Sequence, residues 1–337
     1  MLHYLFQRVL LFVPTLLIIT LIAFGLTRLA PGDPAAVKAG VGAEGALSAR
    51  NVISQETFEL WRKQMRLDRP IIEQYILWLG DIVRLNFGVS FIDNRPVVEK
   101  IAERLPVTLT MNIAAVFIAY IIAIPLGVYS ALRAGTLGDR IVTFILFALY
   151  SLPSFWVATL ALTFLCNPEF LYLFPSHGLY SNRFDFLPFW SKIGDVLWHL
   201  VLPMIVYTYG SFSFISRQMR SAMMESIRQD FIRTARAKGL PERRVIFVHA
   251  MRNSLIPIIT LLAGILPSLV GGSVIVETIF SIPGMGELSY MALVSRDYPM
   301  IMAIFTLSAV LTLVGILFSD ILYSVVDPRI AYGKRTS

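Results

Sequence analysis

One cysteine, Cys166, stands in the whole chain, which excludes an internal disulfide and any cysteine-based metal cluster. Histidine is nearly as scarce: His3, His177, His199 and His249 are scattered and show no H-E-x-x-H spacing. The sequence has no G-x-S-x-G elbow and no G-x-x-x-x-G-K-[ST] phosphate loop, and "GKR" at 333–335 lacks both the upstream glycine and the Ser/Thr. No catalytic residue, metal site or cofactor is therefore assigned, and the chain is not expected to be an enzyme by itself. Charge is thin as well: 15% of the 337 residues are Asp, Glu, Lys or Arg, against about a quarter in a soluble globule.

Apolar residues fill the gap. They make up 56% of the chain, with a mean hydropathy of +0.69, so the bilayer is the solvent that organises it. A helix needs about 20 apolar residues to cross about 30 Å of hydrocarbon. Uncharged runs of that order lie at 9–27, 105–132, 141–168, 196–216, 253–276 and 298–319. Six transmembrane helices are expected, in an all-α polytopic membrane protein. The first run is read as a membrane anchor, because its 19 residues exceed the 7–15 of a cleaved signal core and no clean A-x-A site follows.

Positive charge orients the spans, since short cytoplasmic loops are rich in Lys/Arg. With the N-terminus inside, the inner segments carry 15 such residues, among them Arg8, Arg133, Arg140, Arg329, Lys334 and Arg335. The short outer loops carry three, Arg183, Lys192 and Arg296. The long segment 28–104 is largely exempt, because long loops cross regardless of charge. Both termini are expected in the cytoplasm. The layout is then an N-terminal transmembrane helix (1–27), an extracytoplasmic segment (28–104), a five-helix domain (105–327) with a cytoplasmic loop at 217–252, and a cytoplasmic tail (328–337).

Within the outer segment, "PGDP" (31–34) ends the first span and the Gly/Ala-rich 39–46 reads as loop. Residues 54–67 begin with Ser54 as a cap and Glu56 in the first turn, which predicts a helix. Residues 69–85 place Ile72, Tyr75, Ile76, Leu79 and Ile82–Val83 at helical spacing. That stripe either packs on the outer membrane face or meets a partner. Pro14, Pro125, Pro153, Pro203 and Pro267 lie inside spans and tend to kink them. Gly271-Gly272 permits either close helix approach or local unwinding. His199 is read as a structural hydrogen bonder.

None of the six runs contains an ionisable Asp, Glu, Lys or Arg. Ion-coupled transporters place such groups near the midplane, so a secondary transporter is disfavoured. Uphill transport would need its energy from another subunit. Nucleic-acid binding is disfavoured too, because the basic loop holds only Phe231 and Phe247 as aromatics between 230 and 257 and is tethered to the bilayer.

That loop has a definite local grammar. Residues 217–238 read as one helix with Ile227, Phe231 and Ala235 on a face, and with Arg233, Arg236 and Lys238 near its negative end. Gly239 stands where a left-handed cap is needed, Leu240 supplies the apolar contact after it, and Pro241-Glu242 opens the next helix. Val245, Ile246, His249 and Leu255 carry that helix into the fifth span.

Residues 233–239, Arg-Thr-Ala-Arg-Ala-Lys-Gly, resemble the EAA loop of bacterial ABC importer permeases, E-A-A-x-x-x-G. Ala235 and Gly239 match, while Arg233 and Thr234 stand where Glu and Ala are usual. The wider "DFIRTARAKGL…HAMRNSLIP" is similar to the loop of the dipeptide/oligopeptide/nickel permease family. "TRLAPGDP" (27–34), "NFGVSF" (86–91), "ETIFSIPGMGELSYMALVSRDYPM" (277–300) and "DILYSVVDPRI" (320–330) agree as well, in the family's order.

The resemblance implies a type I ABC importer transmembrane domain in the bacterial inner membrane. "TRLAPGDP" resembles the first of the two permeases in such systems. The implied partners are a second, similar permease, two cytoplasmic ABC ATPases and an extracytoplasmic substrate-binding protein. Arg233, Thr234, Ala235, Arg236, Lys238, Gly239, Leu240 and Pro241 would form the coupling helix in a groove of the ATPase. Small peptides are the implied cargo, with nickel or another small solute as the alternative, and no cargo-binding residue can be named.

Overall fold

The computed structural model describes residues 2–29, 33–38 and 55–326, with no account of the side chains of 2–7, 37, 55, 263, 266, 270 and 322–326. Pro31, Gly32, the 39–46 loop, the Ser54 cap and the basic tail residues Arg329, Lys334 and Arg335 lie outside the described residues. Helices dominate, and among the described residues the only β feature is an isolated bridge, Val89 to Pro96. In chain order the helices are α1 (Leu2–Leu29), α2 (Pro34–Lys38), α3 (Gln55–Gln64), α4 (Ile71–Val83), α5 (Val97–Leu132), α6 (Leu137–Ser151) and α7 (Ser154–Leu165). They continue as α8 (Phe189–Ile227), α9 (Asp230–Ala237), α10 (Glu242–Arg244), α11 (Met251–Ile265), α12 (Val274–Ile279), α13 (Met285–Val294) and α14 (Tyr298–Val326).

Five described helices are long and apolar enough to cross a membrane: Arg8–Leu29, Val97–Leu132, Phe189–Ile227, Glu242–Leu262 and Tyr298–Ile321. The pair α6–α7 makes a sixth if its two halves are one span, bent by 92°. The uncharged run 141–168 is therefore not a straight helix. Pro153 has no N–H to donate and pushes Leu152 into an extended conformation, φ −81° and ψ 126°. The Tyr209 hydroxyl donates to the Leu152 carbonyl at 2.6 Å, which satisfies a group the break has freed.

The run 253–276 is also not one helix. α11 ends at Ile265, Pro267 opens a 3-10 turn (Leu266–Val270), and the backbone unwinds through Gly272 at φ +61° before Ser273 caps α12. Of the two readings of Gly271-Gly272, unwinding is what Gly272 does. Close approach holds as well, since a Cβ there would lie 2.7 Å from Glu277 and 2.8 Å from the Gly286 nitrogen.

The chain divides into two compact units, Met1–Pro106 with Leu288–Leu317, and Val107–Glu287 with Phe318–Ser337. In the first, α4 packs on α1 through aromatic rings. Phe24 lies 5.5 Å from Tyr75 and 5.6 Å from Trp78, and the Tyr75 hydroxyl bonds Thr20 at 3.0 Å. The stripe expected on α4 divides: Tyr75 and Leu79 are half-buried, whereas Ile72, Ile76 and Val83 stay exposed. The opposite side of α1 (Leu10, Leu11, Ile18, Leu21 and Ile22) is exposed too, as a lipid-facing surface requires.

In the second unit α5 and α8 run side by side in the same direction. Met111 and Ala115 share a cluster with Leu202, Val206 and Tyr209; Ala119 and Ala123 meet Ile215; Val128 and Ala131 meet Met219 and Met223. The contact line is a four-residue repeat of small side chains, Ala115, Ala119, Ala123, Gly127 and Ala131, which lets helix backbones approach closely. At Gly127 the approach is closest: a Cβ would lie 2.5 Å from the Ser216 carbonyl oxygen. Ser226 ties α8 to the turn before α11, donating to Ala250 O at 3.0 Å, and Ser254 of α11 donates to Ala222 O of α8 at 3.2 Å.

Candidate functional site

The basic corner between α8 and α11 is built as the sequence suggests at its turn and differently before it. One continuous helix over 217–238 is not formed. α8 ends at Ile227, and Gln229 adopts φ −71° and ψ 152°, so α9 starts afresh at Asp230. The break re-phases the helix. Ile232 and Ala235 become the buried positions, and Phe231, expected on one face with Ala235, is 41% exposed.

At its far end α9 closes with a complete left-handed cap. Gly239 has φ +74°. Its N–H donates to Arg236 O at 2.9 Å, and the Leu240 N–H reaches back to Ala235 O at 3.4 Å, the two bonds that define a Schellman turn. Leu240 packs against the apolar cluster beneath. Pro241 then adopts φ −62° and ψ 140°, and its carbonyl accepts from Arg244 N at 2.8 Å to start α10. From Val245 to Ala250 the chain is wound as a π-helix, after which α11 continues.

The eight residues expected to form the coupling helix are thus brought together, with distinct tasks. Ala235 and Leu240 face inward. Arg233, Thr234, Arg236, Lys238, Gly239 and Pro241 are exposed. Arg236 spans the corner to Glu242, with Nε to Oε2 at 3.0 Å and Nη2 to Oε1 at 2.5 Å; that bidentate bond holds the guanidinium pKa above its usual range. Arg233 makes only a long contact with Asp230, 3.4 Å, and its side chain is 77% exposed. Thr234 bonds back to Asp230 O at 3.0 Å. Exposed Arg243 and Arg244 extend the basic surface past the turn.

Beneath the corner, Ile232 and Ala235 share one cluster with Val128 and Ala131 of α5, Met219 and Met223 of α8, Val245 and Ala250 of the π-wound stretch, and Ile258 of α11. The corner is therefore rooted in three long helices at once. A second tie lies nearby. Asp139, almost wholly buried in the first turn of α6, accepts from Arg220 of α8 through both oxygens, at 3.2 and 2.9 Å, and from Gly135 N at 2.9 Å. Residues 81 apart leave no periodic trace in a sequence, and this pair was not anticipated.

A third arrangement surrounds Glu277, a fully buried carboxylate just past the unwound glycines. Its oxygens accept from Gly286 N at 2.6 Å, Glu287 N at 3.0 Å and Thr108 Oγ1 at 3.1 Å, and Thr108 accepts in turn from Met285 N at 2.7 Å. Those amides are the first turn of α13, so Glu277 caps that helix end. Gly272, Gly284 and Gly286 wall the carboxylate so closely that a Cβ on any of them would collide with it. The "ETIFSIPGMGE" stretch thus encodes a buried acid and two of its glycine walls.

Above the bend in α6–α7 lies a cavity of about 380 Å³ lined by Tyr150, Ser154, Tyr207, Tyr209, Ser211 and Ser273, with no charged side chain on its wall. No group of three or more His, Cys, Asp or Glu that could hold a metal occurs among the described residues.

Long apolar helices with a basic corner rooted among them define an integral membrane protein. Residues 123–332 match the model of the binding-protein-dependent transport system inner membrane component family, and residues 1–112 match the model for the N-terminal part of such membrane components. The chain belongs to this family: it is an ABC importer permease subunit and a multi-pass protein of the inner membrane. It is similar to the oligopeptide transport system permease protein AppB of Bacillus subtilis (strain 168), at 40% identity over 98% of this chain and 99% of AppB. It is also similar to the inner membrane ABC transporter permease protein YejB of Escherichia coli O157:H7, at 33% identity, and to the peptidoglycan transport system permease protein YejB of Agrobacterium fabrum (strain C58), at 30%. Both of those alignments cover 98% of this chain and 99% of the relative.

Proposed function

We propose that this chain is the first of two permeases in an importer of small peptides, and that the corner Arg233–Pro241 is the coupling helix on which an ATPase subunit pushes. A binding protein would deliver the peptide from outside, a second, similar permease would complete the path, and two cytoplasmic ATPases would supply the energy, since this chain carries no phosphate loop. Both termini would face the cytoplasm, with 28–104 outside, 105–327 as the transmembrane domain and 328–337 as an inner tail.

One observation carries the reading. The corner is stiffened by a Schellman turn and a bidentate ion pair, and is rooted by Ile232 and Ala235 in helices α5, α8 and α11. Displacing it displaces all three. Peptide as cargo rests on the names of the relatives and is supported by the uncharged tyrosine–serine cavity, which suits a backbone of any side-chain charge. Nickel or another small solute is the competing cargo.

The test uses the reconstituted importer. Cysteines at Thr234 and Lys238 should crosslink to an ATPase subunit, and uptake of a labelled tripeptide should need ATP and ignore a protonophore. Failure of both cysteines to capture an ATPase, at normal membrane levels, removes the coupling assignment. Uptake driven by a proton gradient alone would make the chain a secondary transporter.

A further inference from the structure

The first unit holds a cavity of about 340 Å³ that nothing in the transport cycle above uses. Its wall combines two cations with no carboxylate within ion-pair distance, two buried oxygens with no hydrogen-bond partner among the described residues, and aromatic surfaces. Arg28, in the last turn of α1, lays its guanidinium 5.2 Å over the Phe24 ring. Lys38, ending α2, places Nζ 5.4 Å from the Trp61 ring centre and 5.7 Å from that of Phe91. Both cations are half-buried, and neither has a carboxylate within ion-pair distance among the described residues.

The nearby acids are committed elsewhere. Asp81, on the same wall, pairs with Arg66 at 2.8 Å. Asp33 accepts from Ala35 N at 2.9 Å and lies 3.8 Å from Arg62. Asp297 does not line the cavity, and its oxygens accept from Ser90 Oγ at 2.5 Å and Phe91 N at 3.1 Å.

Gln74 is 8% exposed. Its Nε2 donates to Arg69 O at 2.7 Å; a carbonyl can only accept, so the orientation of the amide is settled. Among the described residues the other end, Oε1, is buried with no donor, and the hydroxyl of Tyr298, a residue 6% exposed, is buried with no partner. Both residues line the cavity. Buried polar atoms are ordinarily paired, so two orphans on one wall, beside two cations outside ion-pair reach of any described carboxylate, point to a ligand with matching groups. An anion answers Arg28 and Lys38. An N–H answers Gln74 Oε1. An apolar group answers Phe24, Trp78 and Phe91. A carboxylate with a neighbouring N–H and an apolar side chain supplies all three.

We propose that this cavity binds an α-amino or α-amido carboxylate, that is, the C-terminal residue of a peptide or a free amino acid. The volume stands at the low end of the about 300–1,000 Å³ typical of ligand sites, enough for a terminal residue and not for an oligopeptide chain. The site stands on its own donors and acceptors, and would remain if the imported cargo were nickel.

The test uses the full chain with its partner subunits in lipid nanodiscs and a photoreactive tripeptide, Ala-Ala-(4-benzoyl-phenylalanine), with a free carboxylate. Mass spectrometry should map the label to segments 24–38 and 74–91. N-acetyl-phenylalanine or phenylalanine should displace it, the stronger competitor naming the peptide end or the free amino acid as the natural source. N-acetyl-phenylalaninamide, 3-phenylpropionate and inorganic phosphate should not. Arg28→Gln and Lys38→Ala should each lower labelling about tenfold, as expected for one charge-assisted hydrogen bond. Tyr298→Phe, which removes only a hydroxyl, should lower it less. Gln74→Leu should erase the advantage of N-acetyl-phenylalanine over 3-phenylpropionate. Labelling confined to 107–287, equal competition by the amide or by phosphate, or indifference to the Arg28 and Lys38 variants overturns the proposal.

Discussion

At the scale of single residues, Gly239 shows most directly how chemistry becomes mechanics. A Cβ there would meet nothing within 4 Å, so any penalty comes from the backbone at φ +74°. A left-handed conformation costs an L-residue about 1–2 kcal/mol, more for a β-branched one and less for Asn. Gly239→Val should therefore lose most ATP-driven uptake at unchanged membrane levels, and Gly239→Asn should keep most of it; Val transporting normally would show that the turn geometry is idle. This glycine was legible because Gly-Leu-Pro after a helix has few other meanings. Glu277 was not, since a buried acid and the amides it caps are joined only by folding. Glu277→Leu would leave the Gly286 and Glu287 amides, which share one oxygen of Glu277, without an acceptor. A loss of about 1–3 kcal/mol is expected for the unsatisfied donors, read as a lower melting temperature of the detergent-purified protein, while Thr108→Ser keeps its hydroxyl and should melt normally.

At the scale of elements, apolar runs located the membrane helices well and misjudged their interiors. Hydropathy measures composition, and both 141–168 and 253–276 are apolar throughout, so the 92° bend and the glycine unwinding are invisible to it. The error on α9 has a similar origin. Residues 217–238 taken as one helix put Phe231 on one face with Ile227 and Ala235, whereas the break at Gln229 starts a new helix that buries Ile232 with Ala235. The α5–α8 seam was readable in principle, because small residues at 115, 119, 123, 127 and 131 repeat every four. Gly127→Ala places a methyl 2.5 Å from the Ser216 carbonyl, a backbone atom that cannot swing away. The two helices must part, at about 1–3 kcal/mol. Thermal unfolding of the purified subunit should record that loss, whereas Gly25→Ala, with open space around it, should unfold like the parent.

At the scale of the whole molecule, charge bias carries more information than any single contact. Fifteen Lys/Arg on the segments expected inside, against three on the short loops expected outside, would orient every span together. The native Cys166 is buried, so introduced thiols report cleanly. Thr234→Cys should react with a membrane-impermeant maleimide only in inside-out vesicles, and Glu73→Cys only in intact cells. The reverse pattern would invert the topology and detach the corner from any cytoplasmic engine.

Between the corner and α11, Val245 to Ala250 close their bonds one residue further along than an α-helix would. That stretch keeps a spare residue in store, slack laid down beside the proposed coupling corner. Winding it into a regular α-helix would turn everything downstream by about 100° and extend it by about 1.5 Å, so a straight push on a rigid turn would arrive in the bilayer as a twist.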